Sequence, residues 1–108
     1  MQFGLAENIV FKINHIFGQY PAIEKAVIYG SRVKGNFKAS SDIDIVLKGN
    51  DINLQLLNRV TLKLDDLLLP YKFDLSIYNH IVNPELLDHI DRVGQTLWDI
   101  NRMVIKDA

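Results

Sequence analysis

The residues best suited to chemistry form two short motifs, a Gly30-Ser31 pair and an Asp42-x-Asp44 pair, with ten residues between them. Glycine permits a tight turn and lets a ligand approach the backbone closely. Backbone N–H groups where a helical turn begins can bind phosphate, and the serine hydroxyl adds a donor. Two acids spaced two apart on a strand project from one face, where they can share a divalent cation. The spacing therefore indicates a phosphate site beside a metal site.

A third acid, Asp74, lies within a later apolar run that alternates like a strand. If this strand lies beside the strand of Asp42 and Asp44 in register, all three carboxylates share one face. They could then hold two Mg²⁺ ions, an arrangement that stabilises the attacking and leaving oxygens of an in-line displacement. Asp74 could also accept the proton of the incoming hydroxyl. The alternative is that all three are ordinary acids on strands that face water.

A local basic cluster follows the glycine turn and comprises Arg32, Lys34 and Lys38. Arg32 is the closest of them to the turn and is a candidate to bind the oxygens of a triphosphate. Lys34 and Lys38 are expected to be solvated surface charges. The three histidines show no metal-ligand spacing.

The elements that must position these residues follow from hydrophobic periodicity. The pattern predicts helices at 3–18, 52–68 and 84–93 and strands at 23–29, 42–47 and 71–78, with 96–100 as a short strand or a helical tail. Residues 31–36 suffice for one or two helical turns, and Asn50 or Asp51 is expected to cap the helix that follows. Alternating helices and strands predict an α/β or α+β fold, in which one small mixed sheet is flanked by helices.

Length and composition narrow the class of protein. A chain of 108 residues is expected to form a single domain, 1–108, with one core. The absence of cysteine excludes thiol catalysis and cysteine-based zinc sites. A net charge of −1 provides no general attraction to nucleic acid or membrane, so no direct binding to either is expected. Without an apolar run of ~20 residues or a secretory signal, the chain is expected to be cytoplasmic.

The block from Gly30-Ser31 through Asp42-x-Asp44 to Asp74 resembles the nucleotidyltransferase superfamily of DNA polymerase beta. Within that superfamily it is similar to the minimal nucleotidyltransferases, or MNT proteins, and the resemblance covers the whole chain. The resemblance implies the nucleotidyltransferase fold, with Gly30 and Ser31 holding the phosphates of the nucleotide. It also implies that Asp42 and Asp44 bind Mg²⁺ and that Asp74 is a third acid, as ligand or base.

The same resemblance implies a reaction and a partner. The enzyme would move a nucleoside monophosphate from a nucleoside triphosphate to a hydroxyl and release pyrophosphate. MNT proteins are commonly paired with a HEPN protein, an RNase toxin, and several act as antitoxins by transferring AMP to a tyrosine of that toxin. ATP is then the expected donor and a tyrosine of a HEPN-type partner the expected acceptor.

Two alternatives stay open at this point. One is an antitoxin that masks its partner by contact, with Phe3, Phe37 and Tyr78 as exposed apolar anchors. The other is a nucleotidyltransferase for a small molecule such as an aminoglycoside, which would require an acidic pocket for a cationic substrate.

Overall fold

A computed structural model describes residues 3–35 and 42–101 of the chain, so Phe37 and Lys38 lie outside the described residues. Its elements, in chain order, are α1 (Glu7–Phe17), β1 (Lys25–Tyr29), α2 (Ser31–Lys34), β2 (Ile43–Lys48), α3 (Leu54–Asp65), β3 (Phe73–Ile77), a 3₁₀ turn (Tyr78–His80), α4 (Pro84–Val93) and β4 (Gln95–Asp99). Each predicted helix and strand is present, and the final segment is a strand. Within the described ranges, no helix is both long and apolar enough to cross a membrane.

The third helix begins later than predicted. Its N-cap is Asn53, whose side-chain oxygen accepts a hydrogen bond from a backbone N–H of the first turn at 2.9 Å. The predicted cap at Asn50 or Asp51 is therefore wrong. Ile52, which the pattern placed inside the helix, precedes it and is buried in the core. The predicted helix began too early because Ile52 continues the helical spacing of apolar residues, although it lies in the segment before the helix.

The sheet has four strands in the order β3-β2-β1-β4, which confirms the predicted mixed sheet. Strand β1 is antiparallel to β2 and to β4, whereas β2 and β3 are parallel and are joined through α3. The register aligns Tyr29 with Asp44, and Asp44 with Asp74. Because side chains at one register position point to the same face, these three residues form a row across three strands.

The two faces of the sheet carry cores of different size. Helices α1 and α3 cover one face and form the main core, whose fully buried members include Ile13, Phe17, Ile28, Ile43, Ile45, Leu47, Val60 and Leu64. Helix α4 lies on the other face, where Val27, Val46 and Ile90 form a smaller buried cluster. The row of Tyr29, Asp44 and Asp74 belongs to this second face, because Val27 and Val46 lie two residues from Tyr29 and Asp44. We call this face of the sheet the site face.

Candidate active site

Strand pairing brings the predicted acids together. Asp44 lies opposite Asp74 in the parallel pair of β2 and β3, which is the register that the shared-face prediction required. Asp42 comes directly before β2, two residues from Asp44. Asp44 is half-buried, whereas Asp42 and Asp74 are exposed. The site therefore lies at the end of the sheet where β2 and β3 begin. It is open to solvent, and the Asp44 carboxylate is more buried than the other two.

The charges of these acids act on one another. Burial raises the pKa of the Asp44 carboxyl, and the carboxylates of Asp74 and Asp42 raise it further. Neither of the ion pairs formed within the described residues includes any of the three acids. Like charges in a half-buried setting are unfavourable without a cation. A bound divalent ion would remove this repulsion.

The three acids suit a divalent cation, because they offer carboxylate oxygens and because strand pairing aligns Asp44 with Asp74. Carboxylate oxygens at an edge that also admits water and phosphate suit Mg²⁺. Among residues 3–35 and 42–101, however, no three acid or histidine side chains are already close enough to share one ion. The carboxylates of Asp42, Asp44 and Asp74 must therefore move closer together to coordinate a common metal, and their metal-binding role stays a prediction.

The turn after β1 touches the deepest acid. Gly30 has φ +84° and ψ −152°, a conformation that is essentially restricted to glycine. A Cβ atom at Gly30 would also collide with Asp44 Oδ2, so a larger residue here would displace the Asp44 carboxylate. Ser31, which begins α2, is half-buried rather than enclosed, and the first N–H groups of a helix have no partner within it. A phosphate-bearing ligand at this open turn would lie directly beside Asp44.

Arg32 has a structural contact that its sequence position did not suggest. Its side chain is only 3% exposed, and Nη1 donates a hydrogen bond to the Phe3 carbonyl oxygen at 3.0 Å. Its guanidinium carbon lies 4.8 Å from the centre of the Tyr71 ring. These contacts join the segment before α1 to the glycine turn. Contact between Arg32 and a nucleotide stays a prediction, whereas Lys34 is exposed as expected.

Tyr29 is the site residue that the motif analysis missed. It is half-buried, lies opposite Asp44 and presents its ring edge-on to His89 of α4, with centroids 6.3 Å apart. Burial raises the pKa of the Tyr29 phenol, the hydroxyl of Ser76 lowers it, and the carboxylates of Asp44 and Asp74 raise it. Its position directly before Gly30 was a signal, but one that becomes informative only once β1 is paired with β2.

The chain matches the model of one protein family over most of its length. The model of the family described as "Polymerase beta, Nucleotidyltransferase" matches residues 11–103. No curated protein matches the chain.

Solved structures share the fold at low sequence identity. A chain of a toxin–antitoxin complex with AMP-PNP superimposes with a TM-score of 0.68 at 23% identity, covering 91% of this chain and 77% of that one. A chain from the complex of tri-AMPylated Shewanella oneidensis HEPN toxin with MNT antitoxin gives 0.65 at 19%, covering 89% and 74%. A putative nucleotidyltransferase from Sulfolobus solfataricus gives 0.54 at 19%, covering 94% and 83%. At these identities the likeness establishes a common fold.

Proposed function

Because the chain belongs to the polymerase beta nucleotidyltransferase family, we propose that it transfers AMP from ATP to a hydroxyl acceptor in a reaction that depends on Mg²⁺. The observation that carries the proposal is the alignment of Asp44 with Asp74, beside a turn where a Cβ at Gly30 would meet the Asp44 carboxylate. The carboxylate oxygens and the open glycine turn lie side by side at one end of the sheet. That is the arrangement that binding a metal–triphosphate complex requires.

Each residue of the site has a distinct role in the proposed reaction. Gly30 and Ser31 hold the phosphates against β2, and Asp42 and Asp44 are the metal ligands. Bound Mg²⁺, with two ions expected, supplies the positive charge that stabilises the attacking and leaving oxygens. Asp74 completes the ligand set or accepts the proton of the acceptor hydroxyl. The acceptor oxygen bonds to the α-phosphorus, the bond from that phosphorus to the β-phosphate oxygen breaks, and pyrophosphate leaves.

The acceptor that we propose is a tyrosine of a HEPN-type partner protein. The fold is shared with chains of toxin–antitoxin complexes, one of which contains a tri-AMPylated HEPN toxin. Cavities of about 360 and 350 Å³ in the described part of the chain lie away from the site and are lined by none of the three acids. An acceptor side chain presented by another protein needs no pocket of this kind.

The two alternatives find less support. The cavity of about 350 Å³ is lined by the acids Glu24 and Asp99 but also by Lys25 and Lys48, so its charge is balanced and does not suit a cationic drug. For a masking antitoxin, Phe3 and Tyr78 are only half-exposed anchors. The most exposed large apolar side chains in the described residues are elsewhere, among them Phe11, Leu68 and Val82.

The decisive experiment measures the mass of the partner protein. The purified chain is incubated with ATP, Mg²⁺ and the product of the neighbouring gene, which the proposal expects to be a HEPN-type protein, and that product is then weighed. We expect a gain of one or more AMP masses with the wild type and none with Asp42→Asn or Asp44→Asn. Asp88→Asn on α4 is the matched control, because it makes the same change at an exposed acid outside the site.

Transfer by Asp44→Asn at the wild-type rate would contradict the proposed roles of the acids. Inhibition of the partner without any gain of mass would instead support the masking antitoxin.

A further inference from the structure

We propose that Tyr29 is a positioning residue, whose hydroxyl group interacts with Ser76 and thereby holds Asp74 in place relative to Asp44. The inference rests on the proposed function, because it concerns the same acids. It adds a residue outside the glycine and aspartate motifs, and it gives a reason for a tyrosine at the end of β1.

The sheet order creates the need for such a residue. Within residues 3–35 and 42–101, strand β3 is an edge strand that pairs with β2 alone, so the position of Asp74 there depends on one ladder of backbone hydrogen bonds. Asp44 lies on an interior strand and also rests against Gly30. The two acids are therefore held unequally, and the acid on the edge strand has more freedom to move. A contact that reaches β3 from β1, across the face of β2, would reduce this difference.

Tyr29 and Ser76 are placed to make that contact. Ser76 follows Asp74 by two residues, so both side chains project from the site face. The Ser76 Oγ atom is buried and forms no hydrogen bond of normal geometry in the structure. A buried hydroxyl without a partner is unfavourable, and a small rotation that brings it to another hydroxyl removes the cost. Tyr29 lies opposite Asp44 and Ser76 lies opposite Val46, so the two side chains project from the same face, on the strands either side of β2 and at neighbouring positions along it.

The other side of the Tyr29 ring is supported by α4. The ring packs edge-on against His89, and it also borders the small buried cluster of Val27, Val46 and Ile90. Tyr29 thus separates the acids from the core beneath α4. Contact with α4 on one side restricts how far the ring can move, which is what a positioning role requires.

A double-mutant cycle tests the inference. Tyr29→Phe removes only the hydroxyl and keeps the ring, Ser76→Ala removes the other hydroxyl, and the third variant combines both changes. Tyr78→Phe is the matched control, because its hydroxyl bonds to Asp91 of α4 rather than to the site. The measurements are the affinity for Mn²⁺ by electron paramagnetic resonance, with a non-hydrolysable ATP analogue present, and separate kcat and KM values for transfer.

We expect each single change to weaken Mn²⁺ binding by about tenfold, the usual scale for groups that orient metal ligands. The double variant should be no weaker than either single variant, because both changes break one interaction. In transfer, kcat should fall while KM for ATP stays unchanged, and Tyr78→Phe should behave as the wild type.

Four outcomes would overturn the inference. Wild-type Mn²⁺ affinity in Tyr29→Phe, or losses that add in the double variant, would do so while leaving the proposed function intact. A lower melting temperature with unchanged metal affinity would reduce Tyr29 to a packing residue. If the wild-type protein itself binds no Mn²⁺, the proposed function fails and the inference fails with it.

Discussion

The two faces of the sheet differ in what covers them and in what they carry. The face beneath α1 and α3 is apolar, and residues such as Phe17 and Ile45 are fully buried there. The other face carries the row of Tyr29, Asp44 and Asp74, with only a small cluster under α4. One face therefore supplies most of the apolar burial that stabilises the fold, while the other holds the groups suited to chemistry.

The site face is destabilising by itself. Half-burial and neighbouring carboxylates raise the pKa of Asp44, which means that its ionised form is unfavourable in the folded protein. Such costs at a site are tolerable only because the opposite face provides stability in excess of them.

The largest effect should come from the apolar face. Phe17→Ala removes a fully buried ring from the main core and is expected to lower the free energy of unfolding by about 3–5 kcal/mol. Phe11→Ala on the same helix is the control, because Phe11 is 72% exposed and should change stability by no more than about 0.5 kcal/mol. Urea denaturation measures both. Equal losses would contradict the assignment of the main core.

A smaller effect is expected from two glycine substitutions, which distinguish the cost of an unfavourable backbone conformation from the cost of a contact with Asp44. Gly35→Ala places a side chain in the left-handed helical region at a cost of about 1–2 kcal/mol, and Gly30→Ala places one in a region essentially restricted to glycine at a cost of about 1–3 kcal/mol. Only at Gly30 would the new Cβ collide with Asp44, whereas at Gly35 it meets nothing within 4 Å. We expect both variants to be destabilised in urea denaturation, but only Gly30→Ala to lose AMP transfer. Full transfer by Gly30→Ala would show that the turn does not constrain the acids.

The smallest effect should be a gain in stability at the site face. At pH 7 the ionised Asp44 costs stability, because its pKa is raised in the folded state above the ordinary 3.8. Without divalent metal, Asp44→Asn should therefore be more stable by less than about 1 kcal/mol, a figure reduced by solvent screening. The advantage should disappear as the pH falls through the raised pKa towards 3.8, since Asp44 then becomes protonated in the folded protein.

Thermal unfolding in EDTA at pH 7 and near pH 4 measures this difference. Lower stability of Asp44→Asn at pH 7 would mean that the Asp44 charge has a favourable partner instead of the repulsion described above.

Sequence was sufficient where structure is encoded locally. Helix α4 occupies the predicted 84–93 because Asn83 caps it and Pro84 suits its first turn. The alternation of β3 correctly separated Asp74 from its apolar neighbours Phe73 and Ile77.

The remainder depends on contacts between distant segments. The sequence predicted that Asp44 and Asp74 share a face only if their strands pair in register. The structure shows that they do. Tyr29 joined the site through the pairing of β1 with β2, which periodicity does not specify. Arg32 was predicted to bind triphosphate oxygens, and nothing in its local sequence indicates the Phe3 and Tyr71 contacts that bury it.

A crystal structure of the wild-type protein with a non-hydrolysable ATP analogue and Mn²⁺ would show directly whether the three acids and the glycine turn bind metal and triphosphate. Anomalous scattering locates the metal. We expect Mn²⁺ to be bound by Asp42 and Asp44, close to Asp74, with the triphosphate at Gly30 and Ser31. A nucleotide bound elsewhere, or Mn²⁺ with no ligand among these acids, would contradict it.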